Sequence, residues 1–155
     1  MTDSDLTCYC GLYCGDCIRY KSRASQFAAD LLKEFENTQF DEYAKAKASQ
    51  IRDFQHYQIM VDLLTHISRL RCEIPCRLGG DGCMGSCSVI ECVKGKSLEG
   101  CWECPEYKTC KKLDFLKPFH GDTPLHNLSK IKKFGIETWA KHRRKCYPWL
   151  RDKAT

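Results

Sequence analysis

CEIPCRLGGDGCMGSCSVIECVKGKSLEGCWECPEYKTC, residues 72–110, is the stretch on which the reading of the fold turns, because it holds eight cysteines within 39 residues. Gly79, Gly80, Gly82, Gly85, Gly95 and Gly100 lie among them, and neither a 3.6-residue nor a two-residue apolar repeat is sustained. Such a segment offers few apolar side chains for a core of its own, so bound metal is the expected support. Written as spacings it is Cys72-x3-Cys76-x6-Cys83-x3-Cys87-x4-Cys92-x8-Cys101-x2-Cys104-x5-Cys110. A second, shorter cluster opens the chain as Cys10-x3-Cys14-x2-Cys17, with Cys8 just before it, and Cys146 stands apart.

Two residues between thiolates let both sulfurs turn toward one centre while backbone N–H groups point at them. Cys14-x2-Cys17 and Cys101-x2-Cys104 have that spacing. The metal-ligating candidates are therefore Cys10, Cys14, Cys17, Cys72, Cys76, Cys83, Cys87, Cys92, Cys101, Cys104 and Cys110. Cys8 and Cys146 read equally well as small buried apolar residues. Two four-thiolate sites consume eight cysteines and three consume twelve. The first cluster has three close thiols, so a fourth ligand must come from Cys8, from a histidine or from the later cluster. For His120 and His126, surface or capping roles are the expectation.

Outside the clusters the pattern is helical. Phe27, Leu31 and Phe35 repeat at i+4 with Leu32 beside them, and Asn37-Thr38 interrupts. Ile51, Phe54, Tyr57, Val61, Leu64, Ile67 and Leu70 then mark a second amphipathic helix. This pair, residues 24–71, is the expected site of the hydrophobic core. Near the far end Thr123-Pro124 suggests an N-cap and first helical position, Leu125, Leu128 and Ile131 an apolar face, and Gly135 the stop. A short helix around Ile136 to Lys145, anchored by Trp139, is expected to follow, so that the C-terminal helices span 123–146. The whole reads as one domain over 1–155, mainly α, with an irregular metal-stabilised segment at 72–110 and little or no sheet.

Charge and compartment narrow the chemistry. Residues 1–110 carry 13 Lys and Arg against 16 Asp and Glu, whereas residues 111–155 carry 12 against 4. Lys130, Lys132, Lys133, Lys141, Arg143, Arg144 and Lys145, with Tyr147 and Trp149, invite a nucleic-acid partner. A solvated helix face is the preferred account of them, and a protein partner is the broader expectation. The polar opening Met1-Thr2-Asp3-Ser4-Asp5 lacks the basic and apolar regions of a secretory signal, and no apolar run approaches a membrane span. A cytoplasmic setting follows, in which thiols stay reduced and repeated C-x-x-C favours metal over disulfides. Zinc is the expected cofactor, in two or three structural sites, with an iron–sulfur cluster and a redox role as the alternative. No Gly-rich phosphate loop, H-E-x-x-H or nucleophile elbow is present, so the balance leans away from an enzyme.

The motif order also carries a resemblance. Cys10-Gly11-Leu12-Tyr13-Cys14-Gly15-Asp16-Cys17 resembles the C-G-L-x-C-x-x-C opening of the domain of unknown function 3795 family. Cys76-Arg77 with Gly79-Gly80 is similar to its C-R-x-G-G element, and Cys87 to Cys92 to its C-x4-C. Gly100-Cys101-Trp102-Glu103-Cys104, closing at Cys110, resembles its G-C-x-E-C…C, and Asn127-Leu128, Ile131, Gly135 and Trp139 its terminal helix. The resemblance implies metal binding by Cys10, Cys14, Cys17, Cys72, Cys76, Cys87, Cys92, Cys101, Cys104 and Cys110, and no activity. Cys8, Cys83 and Cys146 stand outside that pattern.

Overall fold

The computed structural model describes residues 1–80, 82–83 and 85–151. Among the described residues the regular structure is helical: six α-helices, several 3-10 turns and no strand beyond isolated bridges. The chain is therefore mainly α, as its periodicities predict. It divides into two compact units, Lys21–Cys72 and a second one made of Met1–Tyr20 with the chain from Glu73 onward.

The inserted unit is built of helices. Ser22 caps α1 (Arg23–Asn37) by accepting the Ser25 N–H at 3.2 Å. The helix ends at Thr38, and Gln39, with φ +49°, turns the chain into α2 (Phe40–Lys47), a helix the sequence reading does not anticipate. A 3-10 turn (Arg52–His56) leads into α3 (Tyr57–Ser68), which packs along α1. Phe35 stacks on Phe40 at 4.7 Å between ring centres, with Tyr57 at 5.8 Å from Phe35. Lys21 N–H donates to the Cys72 carbonyl at 2.9 Å, so this unit begins and ends at one point.

This helical pair is not where the core lies. Only the small residues Ser25, Ala28 and Ala44 are buried in it, while Phe27, Leu31, Ile59 and Leu63 are exposed. About fifty residues have too much surface for their volume to enclose large side chains.

The core belongs to the second unit. Its opening segment folds back on itself, with an antiparallel bridge between Thr7 and Tyr13. Cys8 N–H donates to Leu12 O and Cys14 N–H to Leu6 O, both at 2.8 Å. After the insertion come α4 (Ser88–Gly95), a series of 3-10 turns, α5 (Lys117–His120) and α6 (Thr123–Phe134). Asp122 occupies the cap position of α6 and Thr123 is its first residue, one step earlier than the sequence suggests. The Thr123 hydroxyl bonds instead to Lys145 O, at 3.3 Å. Gly135 ends the helix as expected, at φ +75°.

Asn127, Leu128 and Ile131 form the buried face of α6, which packs on the turns Cys101–Glu103 and Trp139–His142. Trp139 is fully enclosed and its indole N–H donates to the Thr7 hydroxyl at 2.8 Å. Trp139 anchors a 3-10 turn here rather than the short helix expected. The cysteine-rich stretch shares in this core: Val89, Val93, Trp102 and Tyr107 are buried in it. The expectation that residues 72–110 lack apolar support is thus corrected, because α4 contributes Val89 and Val93, and the following turns Trp102 and Tyr107, to a core shared with α6.

Candidate metal centre

Each C-x-x-C pair folds as a single 3-10 turn. Cys14–Asp16 and Cys101–Glu103 are the turns, closed by Cys17 N–H to Cys14 O at 3.0 Å and Cys104 N–H to Cys101 O at 3.1 Å. Cys76 also opens a 3-10 turn, Cys76–Leu78, and Cys110 stands just before another, Lys111–Leu116. Sequence spacing is thereby converted into thiols held on short, stiff supports.

Cys92, Cys101, Cys104 and Cys110 line one open cleft of about 370 Å³. Cys92 comes from α4 and Cys110 from the end of the Tyr107–Thr109 turn. Val93, Leu98, Tyr107 and Leu113 supply apolar wall, and Lys96 and Lys112 line it as well. Burial, and after it the charges of Cys10, Cys110, Cys92 and Cys104, push the Cys101 thiol up to about 12. Thiols crowded in this way resist ionising together unless a cation offsets their charge.

A second set gathers around Cys8. Its sulfur lies 3.4 Å from that of Cys14, and the Cys10 and Cys76 thiols are near enough to act on its ionisation. Those neighbours, with burial, hold the Cys8 thiol well above the ordinary thiol range. The bond from Cys8 lowers Cys14 and also Cys76, and the Tyr9 N–H adds to the effect at Cys76. Cys17 lies beside this set, its sulfur accepting the Arg19 N–H at 3.4 Å with the Tyr147 hydroxyl 3.6 Å away. Cys83 is exposed, its carbonyl accepts from the Arg19 guanidinium, and its thiol is within electrostatic range of Cys10, Cys17 and Cys14.

The remaining cysteines differ. Cys72 closes the helical unit through its carbonyl. Cys87 is the residue before α4, and a Cβ on Gly82 would come within 2.9 Å of its own Cβ. Among the described residues it joins neither set. Cys146 is buried and donates to the Tyr13 carbonyl at 3.2 Å, the arrangement of a structural thiol. His120 Nδ1–H donates to Cys146 O at 2.7 Å, a structural role as anticipated. Among the described residues no three His, Cys, Asp or Glu side chains converge tightly enough to hold a metal ion as they stand.

Arg77 ties the two sets together, and spacing alone does not reveal it. Its guanidinium lies over the rings of Tyr9 at 4.8 Å and Trp102 at 5.2 Å. Nε donates to Thr7 O at 3.0 Å and Nη2 to Glu99 O at 3.1 Å. Cys101 N–H donates to Tyr9 O at 2.9 Å beside it. A Cβ at Gly80 would fall 2.1 Å from Ile74 O, and one at Gly100 2.1 Å from the Trp102 ring. The C-R-x-G-G and G-C-W-E-C elements are therefore packing devices as much as ligand carriers.

The pattern of a protein family matches residues 6–115, most of the chain and all of both cysteine sets. The chain belongs to the DUF3795 family. That family is described as a protein of unknown function, so DUF3795 membership supplies the motif order and no chemistry. No curated protein and no solved structure matches the chain. No helix among the described residues is long and apolar enough to cross a membrane.

Proposed function

We propose that this DUF3795 protein is a metalloprotein, and that Cys92, Cys101, Cys104 and Cys110 carry an iron–sulfur cluster. The observation behind this is the cleft itself: four thiols line one space of about 370 Å³, and among the described residues no three ligating side chains converge on a single ion. Tetrahedral zinc at its usual Zn–S length draws four sulfurs to about 3.8 Å from one another. A cluster instead gives each thiolate its own iron and needs room between the sulfurs. The donor set suits it, being all sulfur with no carboxylate from Glu106 required.

A bound cluster supplies one-electron chemistry. The chain's own residues hold and shelter it: Val93, Leu98, Tyr107 and Leu113 restrict water, and Lys96 and Lys112 oppose its negative charge. The test is purification without oxygen, followed by iron, acid-labile sulfide and zinc analysis with a visible spectrum. The expected result is a coloured protein containing iron and sulfide, both lost from Cys104→Ser while its helical circular dichroism persists. A colourless protein holding only zinc, or iron unaffected by Cys104→Ser, overturns the reading.

A further inference from the structure

Away from the cysteine cleft, three rings stack in a row that ends in solvent. The His120 and Tyr147 rings lie 5.1 Å apart between centres, and Tyr147 and Trp149 stack at 4.8 Å with 19° between their planes. Tyr147 is buried, whereas Trp149, on the 3-10 turn Pro148–Leu150, is 63% exposed. Trp102 and Trp139, the other tryptophans, are both buried. Phe119, next to His120 on α5, is a second large ring left at the surface. The support beneath the row is stiff. Asn127 exchanges hydrogen bonds with the Arg144 backbone at 2.8 and 3.0 Å, the Thr123 hydroxyl bonds to Lys145 O, and His120 Nδ1–H donates to Cys146 O at 2.7 Å. From the far side of Trp149, Arg151 Nη2 donates to the His120 carbonyl at 3.2 Å and to the Thr123 hydroxyl.

The charge beside these rings is mostly of one sign. Asp122 is shared by the Arg144 and Arg151 guanidiniums, one carboxylate between two cations. Lys145, two residues before Tyr147, is exposed. Lys130 lies on the α6 face that begins at Asp122, two turns or about 12 Å along the helix. An open aromatic face with cations spaced around it is what a single strand of nucleic acid requires, since its bases stack and its phosphates are held separately. A free nucleotide is better served by an enclosing pocket than by a ring standing in solvent.

We propose that this surface binds single-stranded nucleic acid, with one base stacking on the Trp149 ring and the neighbouring phosphates meeting Lys145 and Lys130. Arg144 and Arg151 supply the excess positive charge over Asp122 and hold the turn in place. None of these residues lines the cysteine cleft, so the inference stands or falls apart from the cluster reading.

The experiment titrates the full-length protein, purified without oxygen, into a fluorescein-labelled 12-nucleotide strand of mixed sequence, as DNA and as RNA, following anisotropy and tryptophan emission. Binding is expected to quench that emission through Trp149 and to weaken about tenfold between 50 and 200 mM salt. Trp149→Ala is expected to weaken binding at least fivefold, and Trp149→Phe to keep most of it. Because Trp149 is exposed, both variants should retain the helical circular dichroism of the parent. Lys130→Gln combined with Lys145→Gln is expected to lower the slope of log affinity against log salt by about 1.4, while Lys33→Gln in the inserted unit leaves it unchanged. No binding at 50 mM salt, or an affinity indifferent to Trp149→Ala, overturns the proposal. So does equal affinity for the matching duplex or for a mononucleotide, or displacement of the strand by phosphatidylglycerol vesicles, which would assign the surface to lipid.

Discussion

At Gly11 the backbone turns with φ +84°, and a Cβ there would lie 2.9 Å from both Leu128 Cγ and the Pro124 carbonyl oxygen. Two separate constraints, handedness and space, therefore act on one residue. Gly11→Ala is expected to cost about 2–4 kcal/mol, since the left-handed turn and the contact with α6 both resist a side chain. A lowered midpoint in urea unfolding, with unchanged slope, checks it. The sequence shows half of this. A glycine between close cysteines announces a tight turn, but the packing of that turn on Leu128 depends on a helix more than a hundred residues away. Cys8 is obscured for the same reason: its meeting with Cys14 follows from chain reversal at the Thr7–Tyr13 bridge, which spacing does not encode.

Among the elements, the Cys14–Asp16 turn and the Trp139–His142 turn are joined by one ion pair. Arg143 Nε and Nη2 each donate to Asp16 at 2.9 Å, and Arg143 also covers the Tyr13 ring at 4.5 Å. The Asp16 side chain is 8% exposed and that of Arg143 29%. Arg143→Met is expected to cost about 2–3 kcal/mol, mostly by leaving the buried carboxylate without its partner, and Asp16→Asn to recover part of it. A thermal-unfolding double-mutant cycle measures both. Arg143 and Arg144 are thus structural, the latter paired with Asp122, which removes two cations from the basic stretch that suggested nucleic acid. Helices with sustained periodicity, α1, α3 and α6, were legible from the sequence. α4 was not, because only Val89 and Val93 mark its buried face amid cysteines, and α2 was hidden by its short length and the left-handed Gln39 before it.

For the molecule as a whole, both cysteine sets fall in the unit built from Met1–Tyr20 and the chain beyond Glu73, together with the deeply buried side chains. The proposed metal ligands and the apolar packing therefore fall in the same unit. Removing metal with a chelator is expected to raise amide hydrogen exchange at residues 6–17 and 76–110 by tenfold or more, while α1 and α3 exchange as before. Equal acceleration across α1 and α3 contradicts this division. The sequence pointed to the helices but assigned the core to the wrong pair, because apolar periodicity measures amphipathicity and not depth of burial.

The hydrogen bond from Lys21 to the Cys72 carbonyl bears on how such a chain can change over time. Where an excursion leaves and returns through one closed doorway, its length contributes only logarithmically to the entropy of closing it. Selection can then lengthen, shorten or resurface the excursion while the thiols on either side of the doorway keep their neighbours, so variation within relatives should concentrate between residues 21 and 72.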